Sequence, residues 1–133
     1  MRFIVMAIMT KESAAAPPPK PEAFVAMQEY NEKAVKAGVL LAAEGLTPKG
    51  TRVKFSGDKR TVTDGPFAET KELIAGFTII QVKSKEEAIE WVKRAPNVSP
   101  NGEGLVEIRK LMDIEDFGEG FTPNEEIAKV KFK

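Results

Sequence analysis

The chain has 133 residues, no Cys, no His, and 20 basic against 20 acidic side chains, so its formal net charge is zero. This length suits one domain with its own core. Without Cys there are no disulfides; without His there are no imidazole bases, Ser–His or Cys–His nucleophile pairs, and few zinc sites are open to it. The charge balance argues against nucleic acid as the main partner. Catalysis would therefore rest on carboxylates, Lys, Arg, Tyr or hydroxyls.

The first predicted element is the apolar run FIVMAIM, from Phe3 to Met9. Both of its alternating faces are apolar, which is typical of a strand buried from both sides. The run is too short to span a bilayer, and no A-x-A cleavage pattern follows it. We therefore expect no membrane segment and a cytoplasmic protein. The Pro-rich residues 14–21 are predicted to be a loop, either a lid over a cleft or an idle connection.

Two helices are predicted from the 3.6-residue period. The first runs from Pro21 to Ala37 and ends at Gly38. The second begins at a capping box formed by Ser84 and Glu87, ends before Pro96, and carries Trp91 as a core residue. The residues predicted for one face of the first helix are Phe24, Met27, Tyr30, Asn31 and Ala34.

The remaining strands complete the order β-α-β-β-α-β. A strand is predicted over Val39 to Leu46, another over Gly76 to Val82 and a last one over Gly104 to Met112. Residues 51–64 form an added hairpin with a turn at Ser56-Gly57-Asp58. The fold class is therefore α+β, a ferredoxin-like split unit. We expect one domain over residues 1–112 and a tail over residues 113–133, with a short helix beginning at Thr122-Pro123.

This order predicts a homodimer. Two helices cover one face of a four-stranded sheet, yet the strands at 3–9 and 76–82 are apolar on both faces. A second copy of the sheet is the simplest cover for the other face, in an interface of roughly 1,600 Å² or more. The alternative is a monomer whose tail folds back over the sheet.

The stretch Asp64-Gly65-Pro66-Phe67 has a structural and a functional interpretation. Structurally, Asp64 would hydrogen-bond the backbone two residues on, Gly65 would permit a positive φ, Pro66 would fix its own φ and Phe67 would fill an apolar gap. Functionally, Asp64 and Glu69 would be carboxylates at the mouth of a pocket.

In the functional interpretation the candidate catalytic residues are carboxylates. Asp64 is the candidate general acid or base, together with Glu44, because a carboxylate in a partly apolar cleft can have its pKa raised. The candidate substrate-binding residues are Arg109, Arg52, Tyr30, Glu69 and Phe67.

Each candidate also has a structural alternative. Arg109 would pair with Asp64 or Glu107, Glu44 with a basic residue, and Tyr30 would keep its hydroxyl in water. No phosphate-loop motif is present, and the spacing of Asp113, Glu115 and Asp116 is not that of a calcium loop, so no cofactor and no metal are predicted.

The string VTDGPFAETKELIAGF, residues 62–77, is similar to the signature of the DGPF branch of the YCII-related family. The resemblance extends to YNEKAVKAGVLLAAEGL, VKSKEEAIEWVKRAP and GLVEIRKLMDIEDFG, and so covers about Met1 to Phe121. It implies a ferredoxin-like unit that pairs into a dimeric α/β barrel.

What the resemblance implies about function is narrower. Some members of the wider family carry a His and an Asp suggested as a catalytic pair, and a chain without His cannot inherit that chemistry. Relatives of this branch occur beside or fused to alternative sigma factors, which implies an accessory or sensing role. Three hypotheses follow: a small dimeric enzyme acting on an anionic or carbonyl-bearing molecule, a non-catalytic ligand-binding or sensing accessory of transcription, and a purely structural dimer.

Overall fold

A computed structural model of the chain describes residues 1–10, 17–65, 72–99 and 102–117. A 3-10 turn at Ile114–Phe117 is the last element of these ranges. The other elements, in chain order, are β1 (Arg2–Thr10), α1 (Pro21–Lys36), β2 (Leu40–Gly45), β3 (Thr51–Ser56), β4 (Lys59–Asp64), β5 (Glu72–Gln81), α2 (Lys85–Lys93) and β6 (Leu105–Lys110). Neither helix of the described part is long and apolar enough to cross a membrane.

The main sheet has four strands in the order β2-β5-β1-β6, and every neighbouring pair is antiparallel. Strand β5 lies between β1 and β2, the two strands that α1 connects, which is the split β-α-β arrangement. The predicted α+β, ferredoxin-like order is confirmed. Strands β3 and β4 form a separate two-stranded sheet, which is the predicted hairpin.

The core lies between the sheet and the two helices. A buried cluster joins Phe3 of β1 to Ile80 of β5 and Ala88 of α2. Trp91 packs against this cluster, so its predicted core position is confirmed. The further members of the cluster and the partly buried residues around it are Val39, Val82, Val5, Leu40 and Ile108.

The predicted face of α1 is only partly buried. Ala34 is buried, but Phe24 is exposed. At 3.6 residues per turn, Phe24 lies about 80° around the helix from Ala34. The apolar stripe that contacts the sheet is therefore narrower than the sequence pattern indicated.

Strand β5 begins four positions earlier than the predicted Gly76. Its early residues pair with the end of β1, where Thr10 faces Glu72 and Met9 faces Leu73. A bulge between Ala7 and Ile8 of β1 shifts the register at this point. Because that pairing is made by a strand distant in sequence, local pattern did not reveal it.

Helix α2 begins at the predicted N-cap. The Ser84 Oγ accepts a hydrogen bond of 3.1 Å from the backbone N–H of Glu87. The Glu87 carboxylate accepts at 3.0 Å from the backbone N–H of Lys83, one residue before the cap. The capping box is thus formed on the Ser84 side and displaced by one residue on the Glu87 side.

The first residues of the predicted tail are bound to the edge strand β6 by hydrogen bonding and an ion pair. The Lys110 Nζ donates at 2.8 Å to Asp116 Oδ2 and lies 3.6 Å from Asp113 Oδ2. The hydrogen bond to Asp116 raises the pKa of Lys110. The helix predicted from Thr122 lies outside the described residues, and the division into residues 1–112 and 113–133 stays a prediction. The role of the Pro-rich loop 14–21 also stays a prediction, since only residues 17–21 of it are described.

Candidate functional site

The sheet face turned away from the helices has an apolar centre. The two helices lie together on the other face, where Tyr30 of α1 bonds to Trp91 of α2. Residues paired directly across antiparallel strands point to the same side of the sheet. Met6 is only 8% exposed, although it lies outside the cluster packed on the helices. We name this surface the open face; its apolar side chains are Ile4, Met6, Ile8, Ile74, Phe77, Ile79 and Leu105.

Charged side chains border the open face on both edge strands. Glu44 of β2 pairs with Phe77 of β5, so both side chains lie on the open face. On β6, Glu107 faces Met6 and Arg109 faces Ile4. The two edges are three strand spacings apart, about 14 Å, so Glu44 does not reach Arg109 within one subunit. The open face is therefore an apolar floor between an acidic edge and a mixed edge.

Arg109 has the partner that the sequence offered as one alternative. Its Nε lies 3.9 Å from Glu107 Oε2, and both side chains are largely exposed. An exposed pair at this separation is weak, because water screens it. The guanidinium therefore keeps N–H donors that a carboxylate or carbonyl oxygen can accept from.

Asp64 lies at the base of the β3–β4 hairpin, in a different sheet from Glu44 and Arg109. Its Oδ1 accepts a hydrogen bond of 2.7 Å from the Thr51 hydroxyl, directly across the ladder. Next to this pair, the Gly65 N–H donates to the Gly50 carbonyl at 2.8 Å. The expected bond from Asp64 to the backbone two residues on is impossible, because residue 66 is proline and has no N–H.

The hairpin has two different faces. Two residues, Gly57 and Asp58, connect its strands, and Gly57 takes a positive φ of 58°. The register places Arg52 opposite Thr63. One face, which we name the arm face, comprises Thr51, Val53, Phe55, Arg60, Val62 and Asp64. The other, the hydroxyl face, comprises Arg52, Lys54, Ser56, Lys59, Thr61 and Thr63.

Tyr30 belongs to the helix layer, on the opposite side of the sheet from Glu44. Its hydroxyl donates to the Trp91 carbonyl at 2.6 Å, and the two rings meet edge to face with centroids 6.2 Å apart. The Arg94 guanidinium lies 4.7 Å above the centre of the Trp91 ring. Burial raises the pKa of Tyr30, and the charge of Arg94 opposes this to a smaller extent. A shallow groove of about 300 Å³ runs beside these side chains.

The structure thus divides the predicted site. Glu44 and Arg109 share the open face, Asp64 and Arg52 lie on opposite faces of the hairpin, and Tyr30 lies among the helices. Phe67 and Glu69 lie outside the described residues. The roles of all seven residues stay predictions. Glu107 was not predicted as a site residue, only as a partner for Arg109. The alternation Glu107-Ile108-Arg109 indicates that the two charged side chains lie on the same face of the strand.

Because the chain lacks Cys and His, its strongest candidate metal ligands are the carboxylates of its 20 acidic residues. Within residues 1–10, 17–65, 72–99 and 102–117, no group of three or more acidic side chains is arranged to hold a metal ion.

Comparison with known proteins covers nearly the whole described fold. A family model described as YCII-related domain matches residues 1–115. The chain is similar to an uncharacterized protein of Rhizobium meliloti (strain 1021), with 37% identity over 87 residues, 64% of this chain and 69% of that protein. The matched region includes both helices and all six strands of the described chain, two of which form the hairpin.

Proposed function

The chain belongs to the YCII-related family, and from that premise we propose that it is a homodimer that binds a small anionic or carbonyl-bearing molecule between its paired sheets. The observation that carries the proposal is the open face, an apolar floor with Glu44 on one edge and Glu107 with Arg109 on the other. Membership of the DGPF branch is part of the proposal, because the string around Asp64 supports it.

The edge charges suit pairing with a second copy. In a two-fold dimer the same surface meets itself. When the two-fold axis runs along the strands, β2 of one subunit lies opposite β6 of the other. This arrangement brings Glu44 to Glu107 and Arg109 of the partner subunit, once at each edge of the interface. Each dimer would thus contain two equivalent sites, and neither subunit would hold a complete one.

The composite site has the chemistry to hold an anion or a carbonyl. A guanidinium can bind a carboxylate through two parallel hydrogen bonds. A carboxylate positioned beside a reacting group can act as a general acid or base. Glu44 and Glu107 would supply such carboxylates, and Asp64 would serve as a further acid or base if the hairpin reaches the site.

The dimer is tested by sedimentation in dilute solution. A species of twice 14.6 kDa is expected. Exchange of Ile79 for Lys places a charge at the centre of the open face and should yield a folded monomer, because Ile79 points away from the helix-side core. A wild-type chain that sediments at 14.6 kDa would contradict the proposal.

The ligand is tested by thermal melting against a library of small carboxylic acids, aldehydes and ketones. A compound that raises Tm should lose its effect in Arg109→Met. Lys93→Met is the matched control, because Lys93 is as exposed as Arg109, at 71%, and has a similarly distant acidic neighbour at 3.9 Å. Turnover of that compound would identify an enzyme, and binding without turnover a sensing protein. A dimer that binds nothing in the library would favour a purely structural role.

A further inference from the structure

The β3–β4 hairpin exposes apolar side chains that nothing in the described chain covers. All twelve residues of its strands are exposed. On the arm face, Val53 pairs with Val62, and Arg60 stacks over the Phe55 ring at 4.4 Å. Phe55 is 69% exposed and Val62 is 66% exposed. A two-stranded hairpin is marginally stable in water by itself, so an apolar arm face of this kind needs a surface to pack on.

The opposite face of the same hairpin needs no cover. It carries basic and hydroxyl side chains only, with Thr61 and Thr63 on β4 facing Lys54 and Arg52 on β3. Residues of this kind are well solvated in a strand that faces water. The hairpin is therefore amphipathic, and its two faces predict which side is buried.

A matching apolar surface lies at the end of the sheet from which the hairpin projects. The hairpin follows Gly45, where β2 ends beside Gly76 of β5. At that end the open face is least covered, since Leu105 is 52% exposed and Ile74 is also exposed, whereas Met6 further along is buried. Ile8 pairs with both Ile74 and Leu105, so the three form one row across the sheet.

We propose that the hairpin is an arm that packs Val53, Phe55 and Val62 onto Ile74 and Leu105 of the partner subunit. The inference rests on the proposed homodimer and names a further contact within it. The occupant is a second copy because both surfaces are apolar, every copy carries both of them, and the arm continues the proposed open-face interface at its edge. With the strand-parallel two-fold axis, both hairpins and both rows of this kind lie at the same end of the dimer.

The arm would also carry Asp64 to the site. Asp64 lies on the arm face, in the same ladder as Val62, and its bond to Thr51 holds it there. Docking of this face on the partner subunit would place the carboxylate at the interface with the composite site. Within one subunit, Asp64 belongs to a different sheet from Glu44 and Arg109.

Cysteine cross-linking tests the arm, and the natural chain contains no Cys to interfere. Full-length chains with Val62→Cys and a size tag are mixed with untagged chains with Leu105→Cys, and a short bismaleimide is added. A cross-linked product of the two different chains is expected. Thr61→Cys, on the hydroxyl face, and Val106→Cys, on the helix-side face next to Leu105, are matched controls that should give at least tenfold less product.

The outcomes separate the arm from the dimer. Sedimentation is run on the same variants. Dimers that give no more product with Val62→Cys than with Thr61→Cys would overturn the arm and leave the dimer intact. A wild-type chain that sediments as a monomer would overturn both proposals. A double variant, Val62→Cys with Leu105→Cys, that cross-links only within one chain at low concentration would show the arm on its own sheet and would also overturn the inference.

A second measurement does not depend on cross-linking. Phe55→Ser combined with Val62→Thr should raise the dimer Kd at least tenfold, while the circular dichroism spectrum stays that of the folded chain, because the hairpin stands apart from the core. Thr61→Ser on the opposite face should leave Kd within twofold. An unchanged Kd in the double variant would contradict the arm.

Discussion

The hydroxyl of Tyr30 donates a hydrogen bond of 2.6 Å to the backbone carbonyl of Trp91, which joins α1 to α2. The same carbonyl accepts from the Arg94 N–H at the end of α2, at 3.2 Å. Between these helices the ring of Tyr30 also meets the Trp91 ring edge to face. This contact connects the two helices directly, through one hydrogen bond and one ring pair.

Tyr30→Phe should lower the free energy of unfolding by about 1 kcal/mol. The ring contact remains, but the partly buried Trp91 carbonyl loses its best donor. Urea denaturation followed by the fluorescence of Trp91, the single Trp of the chain, measures the change. An unchanged midpoint would mean that water replaces the hydroxyl without cost.

The same bond predicts a dependence on alkaline pH. Because burial raises the pKa of Tyr30 above its ordinary value of about 10, the contribution of the neutral hydroxyl is complete below pH 10. It is lost as the pH rises through the higher pKa of the folded state. The difference in unfolding free energy between wild type and Tyr30→Phe should therefore shrink above pH 10. A difference that grows with pH would contradict the assignment.

Gly76→Ala should cost about 1–3 kcal/mol. A Cβ at Gly76 would lie 2.9 Å from the Glu44 carbonyl oxygen and 3.3 Å from the Gly45 Cα, and backbone cannot yield there without breaking the ladder. The facing glycine is the matched control: a Cβ at Gly45 meets nothing within 4 Å. Gly45→Ala should stay within 0.5 kcal/mol or so of wild type in the same melt.

Ser84→Ala should lower stability by about 1 kcal/mol, because the first turn of α2 loses the acceptor for the Glu87 N–H. Ser84→Asp restores an acceptor and suits the positive end of the helix dipole, so it should recover most of the loss. Thermal melts of the three proteins make the comparison. Equal losses in both variants would show that the hydroxyl serves another purpose.

Asp64→Asn should keep the fold, because an amide oxygen can still accept from Thr51 and the pair is exposed. Asp64→Ala should change global stability by less than about 0.5 kcal/mol but loosen the hairpin base. Amide hydrogen exchange at Gly65, whose N–H bonds to Gly50, reports this local opening. Global unfolding of Asp64→Asn would instead assign the motif to folding alone.

Much of the fold was predictable because the apolar pattern of each strand indicates which of its faces are buried. The residues from Phe3 to Met9 are apolar on both faces of the strand, and β1 is indeed a central strand, paired with β5 on one side and β6 on the other. The N-cap at Ser84 was equally local. The start of β5 was not predictable from local sequence. Glu72 enters the strand because it pairs with Thr10, a residue that is distant in sequence and adjacent only in space.

The sequence indicated which residues are candidates for the site, but not which of them lie close together. Glu44, Arg109 and Asp64 are polar side chains at the ends or edges of strands, which a sequence can indicate. Their separation depends on strand order, since β2 and β6 become opposite edges only when β5 inserts between β1 and β2. The placement of Asp64 on the β3–β4 hairpin was predictable, because its pairing with Thr51 is local.

Residue order and period alone determined the α+β class, the helix starts, the hairpin turn at Gly57 and the doubly apolar central strands, because these depend on neighbours within a few positions. Tertiary structure decided the sheet order, the division of the charges between two edges, and the isolation of the hairpin from the core. Those features arise from contacts between segments far apart in the chain, where many pairings satisfy the same local preferences and only packing of the whole selects one.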